Sequence, residues 1–335
     1  MAASGQLIVV TGATGFVGGR LVSALSQRGH EVIAFGRRPA PMLPNYQRWD
    51  ISVGPIDPPR AVDAVVHCAG LVSDWGSPSA FVAANVIGTR HVLQSFATAP
   101  RFVYVSTASV YDPASSTIRV TEAAPYARSY LNNYARTKML AECEIRGSGR
   151  PSIILRPHAV YGPGDTTLLP RLLAARRFGH LLMVGNGCNV VSITHVDNLV
   201  QAIVRAIEGP LDQGILNIAD ALTAPLDTVL RTLLRRLGLP QCVVYVPRAV
   251  AWPAARALDG VYRSLGLRHA PLLTPYMVRQ LAHEYTLDIT AARRVLGYVP
   301  TCSYLDGPLT GDEEGAGMLQ SCREDTCHSI HKPLL

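Results

Sequence analysis

The sequence predicts an α/β fold, a doubly wound parallel sheet with a smaller, mostly helical lobe toward the C-terminus. Strand-like apolar runs alternate with helix-length segments, which is typical of parallel strands joined by crossover helices. Both faces of such a sheet are covered, so its strands should be apolar throughout. The candidate strands of this one sheet, in chain order, are QLIVVTG, EVIAFG, AVVHCAG, RFVYVST, SIILRP, VVSITH and GILNIAD.

The helical segments TTLLPRLLAARRFG and PLDTVLRTLLRRLG are expected to build the lobe. We assign residues 1–222 to the sheet domain, with 166–188 contributing to the lobe, and residues 223–312 to the lobe itself. Residues 313–335 are rich in glycine and charge and poor in pattern, which predicts a flexible tail. The cysteines and histidines of this tail lack the regular spacing of a four-ligand site, so we predict no metal.

The composition is typical of a globular enzyme. Of the 335 residues, 48% are hydrophobic and 16% are charged, which argues against a disordered or fibrous chain. The net charge of +7 comes from scattered residues and not from a basic stripe interleaved with aromatic residues. We therefore predict a small-molecule substrate and no nucleic-acid partner.

Cysteine usage and apolar runs indicate the compartment. The seven cysteines are dispersed and odd in number, so they do not form a disulfide framework. The first residues lack the regions of a signal peptide, and no apolar run reaches the roughly 18 residues that cross a bilayer. We expect a cytoplasmic protein without stable membrane insertion, and a homodimer is the candidate assembly.

A glycine motif of spacing GxxGxxG follows the first candidate strand, in TGATGFVGG. Glycine permits a tight strand-to-helix turn and lets the backbone approach a pyrophosphate at the helix N-terminus. The motif follows a strand and opens an apolar helix, the context that dinucleotide binding needs. It predicts a Rossmann domain. The predicted cofactor-binding residues of the motif are Gly12, Thr14, Gly15, Phe16, Val17 and Gly18.

The end of the second candidate strand indicates which cofactor binds. An NAD site usually has an acidic residue there to hold the adenosine ribose, whereas this chain has Arg37 and Arg38. Two guanidiniums suit the extra phosphate of NADP. We predict NADP, with NAD as the alternative; the other interpretation of the arginines is a solvated surface pair. Asp50 and Ile51 follow a short third strand and are predicted to flank the adenine.

Tyr134 and Lys138 are four residues apart in NNYARTKMLAE, so they share one face of a predicted helix. Beside a dinucleotide, this pair can act on an alcohol or ketone, because the ammonium would lower the pKa of the tyrosine. The structural alternative is that Lys138 pairs with Glu142, one turn further on. Ser106 and Thr107, at the end of RFVYVST, are candidate hydroxyls for orienting the substrate oxygen.

The motifs, taken in order, resemble those of extended short-chain dehydrogenases/reductases, the NAD-dependent epimerase/dehydratase superfamily. The resemblance covers roughly residues 6–310, in the elements TGATGFVG, Asp50-Ile51, HCAG, NVIGT, VSTASVY, YARTK, LRPHAVYGPGD and HVDNLVQA. It implies that Tyr134 and Lys138 are catalytic and that both contact the cofactor, with Lys138 holding the nicotinamide ribose.

Carried over position by position, the resemblance places the family's catalytic hydroxyl on Thr107, with Ser106 as the adjacent candidate. It gives Arg156 a role in bracing the fold. It also implies that four residues line the cofactor or brace its strand: Cys68, Ala69, Gly70 and Asn85. It places Pro157, His158 and Val160 in the segment near the nicotinamide carboxamide.

Departures from other branches narrow the implied activity. Ser-Thr-Ala at 106–108 replaces the Thr-Asp-Glu of the 4,6-dehydratases, and His158 stands where nucleotide-sugar enzymes commonly have asparagine. The segments SDWGSPSAFVAANVIGTRHVL and RPHAVYGPGDTTLLPRLLAA are more similar to the 3β-hydroxysteroid dehydrogenase-like branch. We therefore expect an NADP-dependent oxidoreductase that acts on a ketone or secondary alcohol of a mostly apolar molecule. This substrate would be steroid-, polyketide- or acyl-like. A nucleotide-sugar epimerase is the alternative, and a non-enzymatic NADP sensor is the third hypothesis.

The composition of the lobe supports an apolar substrate. Leucine, valine and alanine dominate it, and Trp252, Tyr262 and Tyr276 are predicted to roof a cleft. The segment VPRAVAWPAARALDGVYRSLG is predicted to be a lid helix, with contact to a membrane surface as the alternative.

One dense cationic group lies near this cleft. Arg171, Arg176 and Arg177 follow one another at helical spacing, so some of them are expected to face solvent. A nucleotide-diphosphate sugar would need fixed donors, and these arginines are the nearest candidates.

Overall fold

A parallel sheet of seven strands organises the computed structural model of the chain. The structure describes residues 5–58, 60–112, 117–267 and 269–303, so the predicted tail lies outside the described residues. The strands are β1 (Leu7–Thr11), β2 (Glu31–Gly36), β3 (Tyr46–Arg48), β4 (Ala64–His67), β5 (Arg101–Val105), β6 (Ile153–Pro157), β7 (Val160–Tyr161), β8 (Arg176–Arg177), β9 (His180–Val184), β10 (Val190–Val191), β11 (Thr194–His195), β12 (Gly214–Ile218), β13 (Ala224–Pro225) and β14 (Val243–Val246).

Helices connect these strands. The α-helices are α1 (Phe16–Gln27), α2 (Pro78–Phe81), α3 (Gly88–Ser95), α4 (Asn133–Gly147), α5 (Leu168–Ala174), α6 (Val196–Glu208), α7 (Leu226–Arg236), α8 (Arg248–Ser264), α9 (Pro275–Ala282) and α10 (Thr290–Leu296). A π-helical turn, Val82–Ile87, joins α2 to α3, and a 3₁₀ turn spans Ala108–Val110. Within the described ranges, the helices lack the combination of length and apolarity that a membrane crossing requires.

The central sheet has the strand order β12-β6-β5-β4-β1-β2-β3, and all its pairs are parallel. Because side chains alternate across a strand, β1 serves two cores: Ile8 packs in the cluster that contains Leu21 and Leu199, and Val9 packs against Val92 on the other face. The predicted doubly wound fold is confirmed. From β1, the chain adds β2 and β3 on one side of the sheet and β4, β5, β6 and β12 on the other. This switch between β1 and β4 opens a crevice at the carboxyl ends of the strands.

The predicted place of the segment VVSITH is wrong. It does not join the central sheet: β10 pairs with β13 and β11 pairs with β7, in separate two-stranded ladders. The backbone between them is bound by a distant segment, since Ser192 N–H donates to the Tyr285 carbonyl and the Ser192 hydroxyl accepts from Leu287 N–H. Alternating apolar residues predicted a strand but could not show which partner it pairs with.

The lobe contains the predicted helices and a three-stranded sheet, β14-β9-β8, that the sequence did not predict. Helix α5 ends at Ala174, so the helical interpretation of Arg176 and Arg177 is wrong: they form β8 and pair antiparallel with β9. Phe178 and Gly179 adopt positive φ angles of 50° and 80°, and this left-handed turn reverses the chain into a hairpin. The lobe is discontinuous, because β8 and β9 precede β12 in the chain whereas β14 follows it.

Candidate active site

A cavity of about 1080 Å³ begins at the carboxyl ends of the central strands and extends between the sheet domain and the lobe. It brings together all but one of the residues that were predicted to bind cofactor or to act in catalysis. Those that line it are Gly12, Thr14, Gly15, Phe16, Val17, Gly18, Arg37, Arg38, Asp50, Ile51, Cys68, Ala69, Gly70, Thr107, Tyr134, Lys138, Pro157, His158 and Val160.

The glycine motif forms a turn that side chains could not occupy. Gly12 has a φ of 73°, and a Cβ there would lie 2.7 Å from the Ala69 nitrogen. A Cβ on Gly18 would lie 2.2 Å from the Gly12 carbonyl oxygen, so the start of α1 packs directly on the turn. Gly15 is the N-cap of α1, which aims unpaired backbone N–H groups into the cavity. These residues therefore fit a dinucleotide pyrophosphate.

The end of the cavity that was predicted to hold the adenosine carries Arg37 and Arg38, both exposed. The Arg38 guanidinium donates to the Thr14 carbonyl at 2.9 Å, which ties it to the glycine turn. Asp50 accepts hydrogen bonds from the Ser52 N–H and hydroxyl, at 3.0 and 2.6 Å. These bonds, with a smaller contribution from nearby Arg37, hold the pKa of Asp50 below its ordinary value. The end of this cavity thus presents cationic groups beside an ionised carboxylate.

Asn85 is the predicted residue that does not line the cavity. It lies buried in the π-helical turn, accepts from the Leu71 N–H at 2.7 Å and donates to the Thr137 hydroxyl at 2.9 Å. It therefore joins the loop after β4 to α4 and acts as a brace. In the same loop, burial raises the pKa of the Cys68 thiol to about 12, so this side chain is a neutral, small apolar group.

Tyr134 lies in the first turn of α4, whose N-cap is Asn132. Burial raises the pKa of Tyr134, and the neighbouring Tyr276 raises it further, while a hydrogen bond with Thr107 opposes the shift. The prediction that Lys138 lowers this pKa is wrong for the observed geometry, because loss of solvent dominates. Tyr134 is therefore a protonated phenol at neutral pH, which is the form that can donate a proton.

Lys138 lies one turn after Tyr134 and is bound by backbone. Its Nζ donates to the Val105 carbonyl at 2.6 Å and lies 4.0 Å from the centre of the Tyr104 ring. Burial lowers the pKa of Lys138 to about 7, with Glu142 partly opposing the shift. Lys138 therefore lies beside the end of β5 at the cavity wall, where a cofactor ribose could reach it.

Glu142 is committed to a different partner. It accepts from Arg156 Nε at 3.0 Å and from the Tyr126 hydroxyl at 2.7 Å, and the Ser106 hydroxyl donates to it as well. Glu142 and Arg156 are 0% and 2% exposed. The structural alternative, a Lys138–Glu142 pair on the helix surface, is therefore wrong, and the bracing role expected of Arg156 agrees with the geometry.

The hydroxyl beside Tyr134 belongs to Thr107 and not to Ser106. The Ser106 hydroxyl donates to Glu142, whereas Thr107 lies close enough to Tyr134 to lower the pKa of that phenol, and Thr107 Oγ1 accepts from the Ser109 N–H at 3.2 Å. Of the two candidates that the sequence offered, Thr107 is the one placed to contact a substrate oxygen.

His158 follows β6 and lies nine-tenths buried at the cavity wall. Its ring packs on Tyr285 with centroids 4.6 Å apart, and burial lowers the pKa of His158 to about 4. The imidazole is therefore neutral. Pro157 and Val160, on either side, complete this wall.

On the lobe side of the cavity, the predicted roof is wrong for two of its three residues. Tyr276 lines the cavity, but Trp252 packs in the apolar cluster under α8 and Tyr262 stacks edge-on against Trp75. Helix α8 supplies no lining residue among those described, so the lid-helix prediction is wrong in detail. The loop 270–273 and helix α9 take that position. Long-range packing decided which amphipathic segment covers the cavity, and the sequence did not show it.

Arg171 is the cationic residue of the group 171, 176 and 177 that lines the cavity. It is paired with Asp74, whose side chain is 2% exposed, and Asp74 also accepts from the Thr274 hydroxyl at 3.1 Å. The charge of Arg171 is therefore largely offset. Asp74 was missed by sequence reasoning; its place in SDWG, shortly after HCAG, was the available signal.

Comparison with known proteins gives the protein class to which this chain belongs. The chain matches the NAD dependent epimerase/dehydratase family over residues 8–219 and belongs to that family. It is an NAD(P)-dependent oxidoreductase of the type that acts on CH–OH groups, as the sequence predicted.

Curated relatives align along most of the chain. It is 33% identical to a 2-alkyl-3-oxoalkanoate reductase of Stenotrophomonas maltophilia, over 90% of this chain and 96% of the relative. A 4-hydroxy-2-methyl-3-oxo-4-farnesyl-3,4-dihydroquinoline-1-oxide ketoreductase of Stigmatella aurantiaca is 30% identical, over 89% and 93%. A 3-beta-hydroxysteroid dehydrogenase of Mycolicibacterium neoaurum is 28% identical, over 88% and 87%.

Solved structures share the fold at lower identity. UDP-glucuronic acid 4-epimerase from Bacillus cereus, in complex with NAD, has a TM-score of 0.69 at 21% identity, over 93% of this chain and 99% of that one. RMD from Pseudomonas aeruginosa, complexed with NADPH, has a TM-score of 0.63 at 20% identity, over 89% and 95%. At these identities the likeness shows the fold alone.

Proposed function

We propose that this chain is an NADP-dependent reductase that transfers hydride to the ketone of a neutral, mostly apolar molecule, or catalyses the reverse oxidation. The observation that carries the proposal is the continuous cavity. It joins the glycine turn, Tyr134 and an apolar wall in one space. Hydride donor, proton donor and substrate can therefore meet there.

The apolar wall indicates the substrate. On the lobe side it is formed largely by leucine, valine and methionine side chains from α5, α7, α9 and β9, such as Leu169, Leu172, Met183, Leu230 and Leu233. An alkyl or polycyclic body can bury its surface against these side chains at about 25 cal/mol per Å². A sugar diphosphate would instead need cations, and Arg171 is already paired with Asp74.

The cofactor and the residues around the reacting carbon have separate roles in the proposed reaction. NADPH, when bound, supplies the hydride. Tyr134, kept protonated by its burial, donates a proton to the carbonyl oxygen as negative charge develops there. Thr107, whose hydroxyl donates to Ser109 Oγ, lies beside that oxygen and helps to place the Tyr134 phenol. Lys138, fixed by its hydrogen bond to the Val105 carbonyl, lies where it can hold the cofactor ribose.

The named activities of the relatives support a ketone substrate, since two are reductases of oxo compounds and one is a hydroxysteroid dehydrogenase. An epimerase remains the alternative because solved neighbours bind UDP-sugars. An epimerase returns its hydride to the substrate, so net NADPH consumption separates the two functions. We expect decan-3-one to drive NADPH oxidation and UDP-glucose neither to inhibit it nor to bind saturably. Tight UDP-glucose binding without ketone reduction would contradict the proposal.

The cofactor preference gives a further prediction. Replacing Arg37 and Arg38 with serine should weaken NADPH binding far more than NADH binding, because NADPH alone carries the 2′-phosphate. Charge-assisted hydrogen bonds are worth about 1.5–3 kcal/mol, so the preference should shift about tenfold or more. Fluorescence titration of both cofactors measures it. Arg28→Ser, at an arginine paired with Glu208 and outside the cavity, is the matched control. Equal weakening of both cofactors would place the arginines away from the ribose phosphate.

A further inference from the structure

A chain of hydroxyl groups leads from the reacting centre to helix α9. Thr107, which lies beside Tyr134, donates to Ser109 Oγ at 3.2 Å, and Ser109 Oγ lies 2.9 Å from the Tyr276 hydroxyl. Gln280 Nε2 donates to that same tyrosine oxygen at 2.7 Å. All these side chains line the cavity. Thr107 and Tyr134 have predicted roles in catalysis, whereas Ser109 and Gln280 have none.

One hydroxyl proton of this hydrogen-bond network has no acceptor. In the bond between Ser109 and Tyr276, one hydroxyl donates and the other accepts. Gln280 donates to Tyr276 and Thr107 donates to Ser109, so neither of these contacts takes up the second proton. Whichever hydroxyl donates, the other keeps a proton that has no acceptor among the hydrogen bonds of the described residues. A donor at the wall of an apolar cavity is stabilised if a ligand accepts from it.

We propose that Tyr276 and Ser109 bind a second oxygen of the substrate, next to the ketone that Tyr134 protonates, and so select 3-oxoacyl compounds over simple ketones. The inference rests on the proposed function. The distance of 3.2 Å between Thr107 Oγ1 and Ser109 Oγ sets the two oxygen positions about one hydrogen-bond length apart. Two carbonyl groups separated by one carbon place their oxygens at roughly that spacing when both carbonyls point to the same side of the carbon chain.

The position of Tyr276 is fixed by contacts between the lobe and the sheet domain. Helix α9 begins at Pro275 after the N-cap Thr274, whose hydroxyl is also bound to the buried Asp74. This fixes the first turn of α9, and with it Tyr276, relative to the loop after β4. Gln280, one turn further on, holds the phenol oxygen. The Tyr276 hydroxyl is therefore held in place before a ligand binds, and it is not on a mobile surface side chain.

The test compares ethyl 3-oxodecanoate with decan-3-one, which lacks the second oxygen. Intrinsic reactivity differs between the two, so the quantity measured is the change in their kcat/KM ratio on substitution. Tyr276→Phe should lower the ratio of kcat/KM for the oxoester to kcat/KM for the ketone about tenfold or more, because the ketone has no second oxygen to lose a hydrogen bond. Ser109→Ala should shift the ratio in the same direction.

Tyr285→Phe is the matched control. The Tyr285 hydroxyl donates to the Ala108 carbonyl at 2.8 Å, close to the same turn but outside the cavity lining. Its loss should change both substrates by the same factor. NADPH binding and thermal unfolding confirm that each variant is folded.

The outcomes separate the two proposals. An unchanged ratio in both Tyr276→Phe and Ser109→Ala, with folded protein, would overturn the inference and leave the ketone reductase intact. If the wild-type protein reduces neither compound although it binds NADPH, the proposed function itself fails.

Discussion

Tyr134→Phe should lower the rate of ketone reduction by about 10²–10⁴-fold, the range typical of a lost acid–base group. The substitution keeps the ring and removes the proton that the carbonyl oxygen must receive. Tyr134 lies beside Thr107 at the expected position of the substrate oxygen, and burial raises its pKa, so its phenol is protonated at neutral pH. Single-turnover oxidation of bound NADPH measures the chemical step directly.

The control for this prediction is Tyr130→Phe. Tyr130 lies just before α4 and donates to the Val110 carbonyl at 2.9 Å, away from the cavity lining. Its variant should retain kcat within about threefold. NADPH affinity should be similar in both variants. Near-normal turnover in Tyr134→Phe would remove this residue from the mechanism.

Glu142→Gln should lower the free energy of unfolding by about 3–5 kcal/mol, because it leaves the Arg156 charge buried without its counter-charge. The amide keeps the shape of the side chain, so the loss is one of charge and not of volume. The Ser106 and Tyr126 hydroxyls would also lose a charged acceptor. Urea denaturation followed by circular dichroism measures the change.

Glu144→Gln provides the comparison on the same helix. Glu144 pairs with Arg90 through two hydrogen bonds of 2.7 and 2.6 Å, but Arg90 is exposed and Glu144 is only partly buried. Exposed pairs contribute little, so this variant should lose only a small fraction of what Glu142→Gln loses. The double variant Glu142→Leu with Arg156→Met should recover much of the loss, since neither charge then remains buried. Equal losses at Glu142 and Glu144 would show that burial of the pair is unimportant.

Sequence reasoning succeeded where the signal was local. The glycine motif contains both the strand end and the helix start, so it located the turn at Gly12 and the N-terminus of α1 without knowledge of the rest of the fold. The spacing of Tyr134 and Lys138 likewise needed a single helix. Their shared cavity with Thr107 follows from parallel strands ending at one edge of a sheet.

It failed where distant segments decide the outcome. The segment containing Ser192 reads as a central strand, but it is bound by the backbone at Tyr285 and Leu287. The charge of Arg171 could not be discounted without Asp74, which is 97 residues away. Composition showed an apolar lobe, yet it could not show that Tyr276 faces the cavity while Trp252 does not. The pKa of Tyr134 depends on burial by several segments, and the spacing of a motif does not report it.

The interrupted course of the chain through the lobe sets an order for its assembly on the ribosome. Strand β12 completes the central sheet by pairing with β6, although the chain between them has already supplied β8 and β9. Strand β14, which pairs with β9, is translated only later. When β12 has been translated, β9 has its neighbour β8 but not β14, and Ala292 and Leu296 of α10, which pack in the core of the central sheet, are still to come. On a nascent chain, the central sheet and the lobe are therefore completed together, by the segments that follow β14.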